Sequence, residues 1–193
     1  MLRDDRGQTV GIYIVAIAAL FFLAFAYFAV GQAAVTRNGA QTAADSAALA
    51  AARQNRDDVQ VAFLAALKGG DVTVLGRLLD SAGLDDQSAC GAASDYADAN
   101  HATVNDCVPL SGKPGYTITV TTKGPIGDSV IDSTKSTHAK ATATAVVEPR
   151  CSLGSKDGDI LKFSCDNGSL AINPKADDFT LDLSDFYSVR LTK

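Results

Sequence analysis

From Gly7 to Thr36 the chain carries no charged side chain, and this run limits what it can fold into more than any other feature. Its apolar heart, Val10 to Val35, would extend about 40 Å as an α-helix, more than the ~30 Å hydrocarbon core of a bilayer. In hydrocarbon every backbone amide needs an internal partner, so a spanning segment of this kind is helical. Phe21, Phe25 and Phe28 fall on one face at helical spacing, opposite a poorer, alanine-rich side. A cleavable secretion signal has an apolar region of only about 7–15 residues, although Ala29-Val30-Gly31 offers a weak cleavage site. The sequence therefore predicts a single transmembrane helix over residues 8–36, preceded by a cytoplasmic tail at 1–7.

Two features set the expected orientation. Arg3, Arg6 and the amino terminus precede the apolar run, whereas Arg37 follows it alone, and basic residues favour the cytoplasmic side. All four cysteines, Cys90, Cys107, Cys151 and Cys165, lie beyond the run, and an even count in a small domain points to disulfides on an oxidising side. Three pairings exist in principle; the sequential one, Cys90 with Cys107 and Cys151 with Cys165, closes the shortest loops and is the one expected. Zinc is disfavoured because no close C-x2–4-C pair occurs. The formal net charge is −5 with no Lys/Arg cluster, which leaves no basic footprint for nucleic acid.

The helical pattern continues past the apolar run. Ala40 to Arg53 has high helix propensity, with Ala40, Ala43, Ala44, Ala47, Ala48 and Ala51 on one stripe and Asp45 alone among alanines. One helix from about Gln8 to Arg53 is expected, its alanine-rich extension at 37–56 standing clear of the bilayer. A small-residue face permits close approach, either to the protein's own domain or to neighbouring helices. If it serves neighbours, Ala44→Leu or Ala48→Leu disrupts association without unfolding the domain.

Arg6-Gly7-Gln8, an apolar helix, and then Ala40-Gln-Thr-Ala-Ala-Asp-Ser-Ala-Ala-Leu-Ala-Ala-Ala52 resemble the TadE/TadG-like proteins of tight-adherence (Flp) pilus assembly. The cysteine-bounded stretch from Cys90 to Cys107, followed by a Thr-rich strand, is similar to actinobacterial members. The resemblance is strongest over the first quarter of the chain. It implies a cell-envelope component that supports or joins a thin pilus, with other pilus or pilin-like subunits as partners. Gly7 and Gln8 then mark a candidate processing site. Pilin-like members place a Glu five residues after the cleaved Gly; here that position is Ile12, which lacks the carboxylate that recruits a neighbour's amino terminus. The 193 residues also leave no room for the von Willebrand A domain of larger TadG-like proteins.

Residues 57–193 read as an extracytoplasmic α+β domain. Asp57 or Asp58 is placed to cap a helix bearing Val59, Ala62, Phe63, Ala66 and Leu67, with Gly69-Gly70 as its end. Asp71 caps the next, with Val72, Leu75, Leu78 and Leu79 inward and Gly83 as its stop. Asp85 starts a third, with Ala89, Ala93, Tyr96 and Ala97 on one face. The period then changes to two. Tyr116, Ile118 and Val120 alternate with threonines, and Ala139, Ala141, Ala143 and Ala145 alternate with Lys140, Thr142 and Thr144. Asp166-Asn167-Gly168 marks a hairpin turn between Ile160–Phe163 and Ser169–Ile172. Phe179, Leu181 and Leu183 predict another short strand. The expected fold class is α+β: a long transmembrane helix running into a small helical and antiparallel-sheet ectodomain with two disulfides.

Motifs for chemistry are weak. Asp132-Ser-Thr-Lys-Ser136 has the loose form of a metal-dependent adhesion site but lacks the buried strand that precedes one. Asp157, Asp159 and Asp166 fail the EF-hand spacing and sit among ordinary turn residues. His101 and His138 are too few for a metal cluster; His101 lies near a helix carboxyl end, where the dipole favours a cation. No nucleophile elbow or phosphate loop occurs. The expectation is a non-enzymatic membrane protein whose partners are lipid and other pilus subunits, with no cofactor, metal, nucleic acid or small-molecule substrate. The alternative is a secreted or surface-anchored binding module unrelated to pili.

Overall fold

The computed structural model describes residues 8–80, 88–125 and 136–192. Helix α1 (Gln8–Asp57) is a single 50-residue element, about 75 Å long, so the apolar run and the alanine-rich extension form one rod. The rod ends a few residues beyond the expected Arg53. Helices α2 (Gln60–Gly69), α3 (Val72–Leu79) and α4 (Ser88–Ala99) follow, then strands β1 (Ala102–Pro109), β2 (Gly115–Pro125), β3 (His138–Pro149), β4 (Cys151–Asp157), β5 (Ile160–Cys165), β6 (Gly168–Ile172) and β7 (Tyr187–Thr192). The strands make two antiparallel sheets, β1-β2-β3-β7 and β4-β5-β6.

Three alanine surfaces meet where α1 joins the domain. The α1 stripe lies on the face of the larger sheet that carries Ile118, Val120, Ala143 and Ala145, with Ala89, Ala93 and Ala97 of α4 beside it. All of these are buried. Alanines on each partner let the backbones come close, and each buried methyl contributes roughly 0.8 kcal/mol. The alternation in β2 and β3 thus has its physical reason: small or β-branched residues face the helix, and threonines face out. On the outer face Thr117 and Thr144 share a hydrogen bond at 2.9 Å, and Thr119 and Thr142 at 3.0 Å.

Beyond the carboxyl end of α1 sits an aromatic cluster under the smaller sheet. Phe63 meets Phe186 with ring centroids 4.7 Å apart, and Phe163 meets Phe186 at 5.1 Å. Buried Tyr187 donates its hydroxyl to the Leu78 carbonyl at 2.8 Å, which ties β7 to α3.

Several expectations are corrected. Neither Asp57 nor Asp58 caps α2: its N-cap is Val59, while Asp57 pairs with Arg56 and Asp58 accepts from Gln54 and Ser88. Those carboxylates are taken by partners on α1 and α4 instead. Gly70 does end α2, in the left-handed conformation at φ 63°, with Gly70 N–H on Leu67 and Asp71 N–H on Ala66. Asp71 caps α3 through the Thr73 and Val74 amides, yet Val72 is exposed because α3 buries only Leu75, Leu78 and Leu79. Tyr96 is also exposed, since the α4 face against α1 has room only for the alanine row. Phe179 to Leu183 is not a strand: Asp182 accepts from the Ser184 amide and starts a short 3-10 turn, Leu183–Asp185. Gly83 and Asp85 lie outside the described residues.

Candidate membrane anchor and interaction surfaces

The amino-terminal part of α1 touches nothing else among the described residues. Ile12, Phe21, Phe25, Tyr27 and Phe28 are all well over half exposed, and the most apolar window of the helix has no buried residue. A soluble protein would not leave such a surface to water. Length, composition and exposure together make this a helix able to span a membrane.

The alanine stripe behaves differently. Ala40, Ala43, Ala44, Ala47, Ala48 and Ala51 are 0% exposed, filled from within by the protein's own sheet and α4. Of the two uses open to a small-residue face, the structure occupies the intramolecular one. Asp45 is half-buried and accepts from Gln41 Nε2 at 2.8 Å, a partner one turn away on the same helix. Polar ties that sequence patterning does not reveal hold the junction. Asn100 Nδ2 donates to Ser46 Oγ at 3.1 Å, and buried Asn55 donates to the Tyr116 hydroxyl at 3.4 Å. Both bonds join residues distant in sequence, so no local pattern could announce them.

The disulfides are Cys90–Cys107 and Cys151–Cys165. The first joins α4 to β1, which fixes the edge of the larger sheet to the helix layer. The second links directly opposed residues of β4 and β5. Gly7 lies outside the described residues; Gln8 opens α1.

The polar candidates are engaged in pairs. Asp159 faces Lys175 at 2.7 Å, Asp157 faces Lys162 at 3.7 Å, and Asp166 faces Arg150 at 3.0 Å. The Arg150 guanidinium holds the Asp166 carboxyl below its ordinary range, and Arg190 does the same to Glu148. All are surface pairs, worth little individually. No group of three or more His, Cys, Asp or Glu among the described residues is placed to hold a metal. Of Asp132 to Ser136, only Ser136 is described. His101 ends α4 at φ 56°, the left-handed position usually given to Gly or Asn. His138 opens β3, its Nδ1 2.7 Å from the Thr122 carbonyl oxygen.

No curated protein and no solved structure matches the chain. Residues 7–54 match the family model described as Flp pilus-assembly TadE/G-like. The matched stretch covers the membrane-spanning segment and nearly all of the alanine-rich extension, the two parts of α1 just described. Over this amino-terminal quarter, from the apolar run into the outer domain, the chain is thus similar to the TadE/G-like proteins of Flp pilus assembly.

Proposed function

We propose that the protein is a membrane-anchored component of a Tad/Flp-type pilus, either an assembly factor or a minor pilin-like subunit. It acts by docking of helices and domains and not by catalysis, with its amino terminus cytoplasmic and its domain outside. The carrying observation is the division of labour along α1. The alanine stripe is consumed by the protein's own core, whereas residues 10–35 are exposed on every side. Neighbouring helices would therefore meet this protein within the bilayer, along the face of Ala19 and Ala26 that lies opposite the phenylalanines. Small residues there permit close packing.

Crosslinking in native membranes tests this. Ala19→Leu with Ala26→Leu is expected to abolish the crosslinked species while leaving the domain folded, because neither residue contacts the domain. Phe21→Leu, on the opposite face, should leave crosslinking unchanged. Equal crosslinking in all three proteins would contradict helix docking, and a soluble, shortened product would favour an exported binding module.

A further inference from the structure

Helix α1 has no break between its membrane-spanning part and the domain, so the height of the domain above the bilayer is set by the helix itself. Helix α4 runs antiparallel to α1: its start bonds to Asp58 through Ser88, and its end bonds to Ser46 through Asn100. The Ser46 level is therefore where α4 stops. Strand β2 goes further. Thr122 pairs with Ala102 at the end of α4, and β2 continues through Lys123 and Gly124 to Pro125, opposite His138. At about 3.3 Å per residue this carries the strand ends roughly 10 Å towards the membrane side. Burial on α1 agrees, since Ala40 is 0% exposed and Thr36 is partly covered.

Ala40 lies one helical turn past Arg37, about 5 Å along the axis. Arg37 is the first charge after the apolar run and belongs in the headgroup layer. From this we infer that the membrane-facing rim of the domain, formed by His101, Lys123, Pro125, His138 and Lys140, rests on the lipid headgroups. The apolar run is longer than the hydrocarbon core, and a tilt that accommodates the excess brings the rim closer to the lipid. Lys123 and Lys140 are exposed there and offer ammonium groups to headgroup phosphates; the Lys123 ammonium also reaches Asp98 at 2.9 Å. The rim thus fixes not only the height of the domain but the direction in which its distal face points.

The inference rests on the apolar run spanning the membrane, and one experiment separates the two. The chain contains no Trp, so single-Trp variants report a single position. Lys123→Trp and His138→Trp place the probe on the rim. Asp159→Trp places it on the β4–β5 turn, at the far end of the domain where Lys156 meets the end of α2. Each full-length protein is reconstituted into phosphatidylcholine–phosphatidylglycerol vesicles containing headgroup spin-labelled lipid. Flotation with the vesicles checks anchoring independently of quenching. Several-fold stronger quenching at both rim positions than at Asp159→Trp is expected. A floating protein with equal quenching at all three positions overturns the rim contact while leaving the anchor intact. A flexible Gly-Ser insertion after Arg37 should lower rim quenching to the distal level; undiminished quenching would overturn the helix as the element that sets the height.

Discussion

Ala44 and Ala48 belong to the buried cluster that α1 shares with the sheet and α4, and both are fully buried. Leu at either position would have to push the sheet or α4 aside, at a cost of about 1–3 kcal/mol. Denaturant titration of the full chain in detergent should show this loss, with a lower midpoint for the domain transition. An unchanged midpoint would mean that the stripe is not packed as described. Tyr187 offers a second residue-scale test. Its hydroxyl bond to Leu78 is buried, and Tyr187→Phe should cost about 1 kcal/mol by removing that bond. Burial also pushes the Tyr187 phenol up from its ordinary value of 10.0. The unfolded chain then releases this proton first, so stability is intact below pH 10 and falls as pH rises above it. Tyr187→Phe should flatten that alkaline decline. At acid pH the sign reverses: Glu148, Asp166 and Asp182 have lowered values, so their small surface contributions persist above the carboxylate range and fade as pH falls through it.

At the scale of elements, the disulfide between Cys90 and Cys107 is the covalent link between the helix layer and the edge of the larger sheet. Removing it in a Cys90→Ser, Cys107→Ser double variant should lower stability by about 3 kcal/mol, read as a shifted thermal or denaturant midpoint. The elements also show what the sequence can announce. The apolar run, the alanine stripe and the two-residue alternation of β2 and β3 repeat one physical preference often enough to be read, and each stands in the structure. The hairpin at Asp166-Asn167 is legible because Gly168 is needed there at φ 122°. Strands β1, β4 and β7 were not legible. β1 is interrupted by a register shift between Val104 and Asp106, and β7 is a short edge strand. β4 carries Gly154 at a register shift, where a Cβ would meet the Lys162 carbonyl oxygen at 2.8 Å. Such strands exist because of partners elsewhere in the chain. The exposed positions of Tyr96 and Val72 escaped the helical pattern for the same reason, since periodicity does not say how much space the facing element leaves.

On the scale of the whole molecule, one helix serves two solvents. Its first half is apolar on all sides and belongs to lipid; its second half is alanine-rich on one stripe and belongs to the domain. The anchoring half was legible as a membrane span from the absence of charge between Arg6 and Arg37. The owner of the stripe was not, because a small-residue face looks the same whether it meets its own sheet or a neighbour's helix. Anchoring through α1 requires that the mature protein keep this helix whole. The most direct test is the amino-terminal sequence and intact mass of the native protein from fractionated cells. The predicted result is a protein released only by detergent whose sequence begins at or before Gln8. A soluble protein beginning near Gln32 would contradict the account, because the anchor would then be discarded and only the outer domain would remain to function.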